Sequence, residues 1–159
     1  MTRPHIEFIH TNNMPWIKKD LDPFLKRVLH KVLSFDKDTK EMTALLKYSK
    51  NWEQKTSLSL SVDEEIYILS GSISMNNIYL DEGCYAYLPA NYPRKNFFSS
   101  NGAEVLSFFS GKIKYTKNKK IYNKKKLIEK ISFYDDGWDT NYEGINSPEI
   151  AASGSRKKL

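Results

Sequence analysis

Residues 57–94 read SLSLSVDEEIYILSGSISMNNIYLDEGCYAYLPANYPR, and their patterning decides the fold. Leu58 and Leu60 alternate with Ser57, Ser59 and Ser61, the period of a strand with one face on a core and the other in water. The acidic turn Asp63-Glu64-Glu65 leads into an apolar run over residues 66–69, which Ser70-Gly71 ends and Ser72-Ile73-Ser74-Met75 resumes. Asn76-Asn77 tolerate the positive φ of a two-residue hairpin, so the chain should fold straight back into Ile78-Tyr79-Leu80. Asp81-Glu82-Gly83 makes the next turn, Cys84–Leu88 the next strand, and Pro89 stops it. Working outward, residues 27–35, 41–48 and 105–109 are also strand-like, and polar turns separate them. Short strands between turn signals favour an all-β antiparallel sandwich or barrel over a βαβ sheet.

The spacing within this stretch resembles the cupin superfamily, small antiparallel barrels with jelly-roll topology. The first cupin motif has two His one residue apart, a Glu, and a Gly seven positions after it; Glu64 and Gly71 keep that spacing. The second has a Gly, five residues, a Pro, and a His five positions on; Gly83 and Pro89 fit. The resemblance runs over residues 28–115 and is similar to the anti-sigma-factor and acetophenone-dioxygenase types. It implies a fold, not an activity, because one fold hosts many chemistries.

In the family, the two His, the Glu and the second His hold one metal ion. Carried over, the histidine positions fall on Leu58, Leu60 and Arg94, leaving Glu64 as the one possible ligand. Leucine has no lone pair to offer, and a guanidinium stays protonated and repels cations. The expectation is therefore no metal and no cofactor. Glu64 and Arg94, which would have shared the ion, should instead converge as a salt bridge above Leu58 and Leu60; the alternative sends Arg94 to solvent. Tyr67, Tyr79, Tyr85, Tyr87 and Tyr92 surround the motifs. The expected ligand-binding set is Glu64, Arg94, Tyr67, Tyr85 and Tyr87, with Arg94 able to grip a carboxylate or phosphate bidentately.

The 159 residues, 40% hydrophobic, suit one barrel with extensions. The expected division is an N-terminal arm over 1–25, the cupin barrel over 26–116, and a lysine-rich linker and C-terminal extension over 117–159. Trp138 followed by Arg156-Lys157-Lys158-Leu159 faintly echoes Trp16 followed by His30-Lys31-Val32-Leu33, so the extension is either the start of a second cupin unit or a tail. In the arm, Asn12 or Asn13 with Pro15 should open a helical turn through Trp16 and Ile17, and Trp16 and Phe24 should pack on the barrel's outside or against a second subunit.

The net charge of +6 is concentrated in residues 112–130, which hold nine lysines and one acid. Without arginine the stretch reads as a solvated linker or an exposed edge rather than a nucleic-acid surface. His5, His10 and His30 match no metal-ligand spacing, and the lone Cys84 reads as a small buried hydrophobe. No apolar run reaches membrane-span length, and the first residues lack a secretory segment, so a cytoplasmic protein, expected as a homodimer, is the default. Two functions follow. One is a cupin that binds a small organic ligand or serves assembly. The other is a metal-independent isomerase, lyase or dioxygenase-like enzyme using Glu64, Arg94 and tyrosines.

Overall fold

A computed structural model describes residues 8–19, 26–116, 121–134, 138–139 and 156–157. The strands are β1 (Leu29–Phe35), β2 (Met42–Tyr48), β3 (Trp52–Gln54), β4 (Ser59–Leu60), β5 (Glu64–Met75), β6 (Ile78–Asp81), β7 (Cys84–Leu88), β8 (Phe97–Ser99), β9 (Ala103–Phe109), β10 (Tyr115–Thr116), β11 (Ile128–Ser132), β12 (Trp138–Asp139) and β13 (Arg156–Lys157). All pairings are antiparallel. The larger layer runs β1-β2-β9-β5-β7-β11, and the second is built from β3, β8, β6 and the far half of β5. This is the all-β cupin jelly roll that the motif spacing implied.

β5 joins the layers, pairing with β7 and β9 first and with β6 and β8 later. The handover needs Gly71. Its φ is +71°, and a Cβ there would lie 2.1 Å from the Gly102 carbonyl oxygen, so no other residue lets the two backbones approach this closely. A bulge at Leu69 adds the bend. The β5–β6 hairpin turns on Asn76 and Asn77, whose φ values are +54° and +67° as the two-residue turn requires.

Alternation sorts the side chains. Ile66, Ile68, Ala86, Leu88, Ala44, Leu46 and Val105 are buried between the layers. At one end of the core, Trp52 lies edge-on to Tyr48 and Phe97, with centroids 4.7 and 5.0 Å away, and its indole N–H donates to the Lys26 carbonyl at 2.9 Å. β4 is shorter than the alternation of residues 57–61 implies, and Ser59, expected in water, is buried where β4 pairs with β10.

Two expectations about the flanks change. The helical turn of the arm is a 3₁₀ turn at Thr11–Asn13, one step early, and Pro15 explains it: the residue before a proline avoids the helical region, and Met14 is extended at ψ 132°. Ile17 then pairs with His30, and Trp16 lies against the outside of the barrel beneath the ammoniums of Lys31 and Lys47, 4.3 and 5.3 Å from its ring. Phe24 lies outside the described residues. The expected boundary at 116 is crossed, because β11 pairs with β7 as an edge strand of the larger layer. The lysine-rich segment is thus partly built into the barrel rather than simply following it. Trp138–Asp139 and Arg156–Lys157, which carry the echo of the first unit, pair as the two-residue ladder β12–β13, and the residues between them lie outside the described set.

Candidate functional site

The positions that the cupin motifs bring together do come together. Leu58 and Arg94 exchange backbone hydrogen bonds of 3.2 and 2.7 Å, and Asn91 donates to the Leu60 carbonyl at 2.7 Å, which fixes the second motif against the first. Leu58 and Leu60 are buried at 4% and 1% exposure. Arg94 Nη1 donates to Glu64 Oε2 inside the barrel, and the two side chains are 6% and 3% exposed. The salt bridge is therefore present and desolvated, and Arg94 does not reach solvent. Arg94 Nε and Ser107 Oγ are buried without a hydrogen-bond partner. The Tyr48 phenol is pushed up far beyond its usual range by burial and then by the negative charge of Glu64.

This donor set does not fit a divalent cation. Such an ion needs several nitrogen or oxygen lone pairs converging on it. Here two positions carry hydrocarbon, one carries a fixed positive charge, and that charge occupies the remaining carboxylate. Among the described residues no group of three or more His, Cys, Asp or Glu side chains is placed to hold a metal.

The tyrosines expected beside this pair are on the other side of the sheet. Glu64 pairs across to Leu88 and Phe109 on the inner face, whereas Glu65 pairs with Tyr87 and Tyr67 with Tyr85 on the outer face. Tyr67, Tyr85 and Tyr87 thus cannot line one pocket with Glu64 and Arg94, because neighbours along a strand point to opposite faces. Tyr85 donates to Glu65 Oε2 at 2.9 Å, and Tyr87 to Asp63 Oδ2 at 2.6 Å. The Tyr85 phenol is pushed up by burial and by its acidic partner, and that of Tyr87 by its bond to Asp63 and then by burial. Tyr79 is exposed, and Tyr92 is buried, donating to Glu129 Oε1 at 3.0 Å and edge-on to Tyr122.

Asp63, passed over in the sequence as part of a turn, is a junction. It accepts from Tyr87, from the Ala90 N–H at 2.7 Å and from Lys126 Nζ at 3.1 Å. Burial alone would raise its pKa, but these donors outweigh burial and hold the carboxyl below its usual value. Its place at the head of the acidic triplet was the available signal. With Glu41, Glu65, Thr43 and Phe108 it borders an outer cleft of about 240 Å³. A second cavity, of about 340 Å³, opens beside Phe35, Lys40, Met42, Gly111, Lys112 and Ile113; nothing in the sequence pattern marked it.

The remaining candidates settle into structure. Cys84 is buried, its thiol donates to Asp81 at 3.0 Å, and burial followed by that bond pushes its pKa up, away from thiolate. His30 is buried with its imidazole pKa lowered by desolvation, and His10 stands edge-on to Phe8. His5 lies outside the described residues. No helix among the described residues is long and apolar enough to cross a membrane.

Comparison with known proteins agrees with this fold. A protein from Nostoc punctiforme PCC 73102 with a provisional dioxygenase name superposes with a TM-score of 0.59 at 19% identity, over 66% of this chain and 39% of that one. This chain therefore matches well under half the length of that relative. A provisionally named acetylacetone dioxygenase from Methylibium petroleiphilum PM1 gives 0.61 at 11% identity, over 75% and 88% of the two chains. An RmlC-like cupin from Ralstonia eutropha JMP134 gives 0.55 at 18%, over 76% and 75%. Identities this low speak for the fold alone. Among curated proteins no significant relative is found. Residues 1–117 match the family described as "Domain of unknown function (DUF4437)", so the chain belongs to that family, a cupin-like one.

Proposed function

We propose that this protein is a metal-independent cupin that binds a small organic ligand rather than catalysing a reaction. One observation carries the reading: Arg94 and Glu64 form a buried ion pair, with Leu58 and Leu60 also buried, at the positions to which the cupin motif spacing would assign a metal. The enzyme alternative would need Glu64, Arg94 and a tyrosine in one pocket, with a phenol tuned toward neutrality. Tyr67, Tyr85 and Tyr87 lie on the opposite face. The phenol that does share the interior with Glu64, that of Tyr48, is pushed up by burial, as those of Tyr85 and Tyr87 are pushed up, the wrong way for proton transfer near pH 7. The expected cytoplasmic setting and homodimer belong to the same reading, and a buried, unpaired Cys84 suits a reducing compartment.

The test is a titration of purified protein with zinc, iron, nickel and manganese, read by metal content after dialysis and by thermal midpoint. The expected result is no stoichiometric metal and an unmoved midpoint, since an ion that preferred the native state would raise it. One equivalent of metal lost on Glu64→Gln would overturn the reading.

A further inference from the structure

A bulge decides what the open end of the barrel offers. In β1 the register shifts between Val32 and Ser34, so Leu33 is an extra residue and the inward phase passes from His30 and Val32 to Phe35. Without the bulge Ser34 would face inward. With it, Phe35 pairs with Met42 on the inner face, yet remains 41% exposed because it stands at the mouth. With Phe35 and Met42, Gly111 and Ile113, just beyond β9, line the 340 Å³ cavity, a size within the range of small-molecule sites of roughly 300–1,000 Å³.

Two cations border this apolar floor. Lys40 Nζ stands 5.9 Å from the Phe35 ring centre and donates to the Lys37 carbonyl, and Lys112 also lines the cavity. No carboxylate lines it, and among the described residues neither ammonium is ion-paired. The neighbouring outer cleft shares Met42 but is bordered by Glu41, Asp63 and Glu65, so the two openings have opposite sign. The inner row continues from Phe35 and Met42 to Phe109 and Glu64, which places the mouth two strands, about 10 Å, from the buried ion pair.

We infer that the mouth cavity is a binding site for an amphipathic carboxylate, its hydrocarbon on Phe35, Met42 and Ile113 and its anionic head between Lys40 and Lys112. This rests on the reading of the barrel as a metal-independent binder and names the class of ligand. Apolar contact favours a hydrocarbon body, and the paired lysines select its charge, since a cation of the same shape would meet two like charges.

The test is calorimetric titration of the full chain with octanoate, octylammonium and 1-octanol at low salt, with a chelator present. Octanoate should saturate at one site, octanol should bind at least tenfold more weakly, and octylammonium should not bind measurably. Lys40→Gln combined with Lys112→Gln should weaken octanoate at least tenfold without moving the denaturation midpoint, because both side chains are exposed. Phe35→Ser should weaken octanoate and octanol together. Equal binding of octylammonium, an unchanged octanoate affinity in the lysine variant, or no saturable octanoate binding would each overturn the inference. Its failure is separable from that of the parent reading. Absent octanoate binding with no metal uptake removes only the ligand class, whereas metal coordinated by Glu64 removes the reading itself.

Discussion

Arg94→Leu is the substitution whose outcome the structure constrains best. It removes the partner of a carboxylate whose side chain is 3% exposed, while the backbone hydrogen bonds of residue 94 to Leu58 remain available to leucine. The variant therefore isolates the guanidinium. A stranded buried charge costs about 3–5 kcal/mol, set by desolvation that the lost attraction no longer offsets. For a chain of this length each kcal/mol moves the midpoint by about 2–4 °C, so the expected fall is about 6–20 °C. Thermal denaturation followed by tryptophan fluorescence reads it, with Trp52 in the core as the reporter. The double change Glu64→Leu with Arg94→Met removes both charges and should recover most of the loss, since apolar replacement of a whole buried pair is neutral or stabilising by about 1–4 kcal/mol. The coupling between the two sites, not either single value, is the decisive quantity. Additive single effects, or an Arg94→Leu midpoint equal to wild type, would refute the claim that this ion pair fills the barrel.

Two further changes probe the frame around the site. Gly71→Ala should cost about 1–2 kcal/mol from its positive φ alone, and the collision with the Gly102 carbonyl adds to that, so thermal melting of the variant should show severe destabilisation or no folded protein at all. Asp63, held below the ordinary carboxylate value in the folded state, contributes stability that is present above about pH 3.9 and lost as pH falls below it. Asp63→Asn should accordingly lower the denaturation midpoint at pH 7 and flatten its acid dependence, and an unaltered acid limb would show that Tyr87, Ala90 and Lys126 do not act through this carboxylate.

The sequence by itself determined the jelly roll, the β5–β6 hairpin and the meeting of Glu64 with Arg94. Each rests on local chemistry or fixed spacing: paired asparagines that accept positive φ, glycines where backbones must touch, and two motifs whose separation sets which side chains share the barrel interior. That Leu58, Leu60 and Arg94 offer no lone pair to a cation was legible in the same way, because residue type alone says whether one exists. Tertiary structure decided the rest. Tyr67, Tyr85 and Tyr87 alternate with residues that are also apolar, so composition could not say which set faces inward until β5 paired with β7. Nor could local signals reveal that residues 128–132 close the larger layer after a lysine-rich stretch, since strand pairing across more than forty positions depends on register and not on propensity. Phe35 illustrates the point most simply: one extra residue at Leu33 reverses the phase of the strand end, and that reversal, invisible in the residue pattern, brings Phe35 to the cavity it lines with Met42, Lys40 and Lys112.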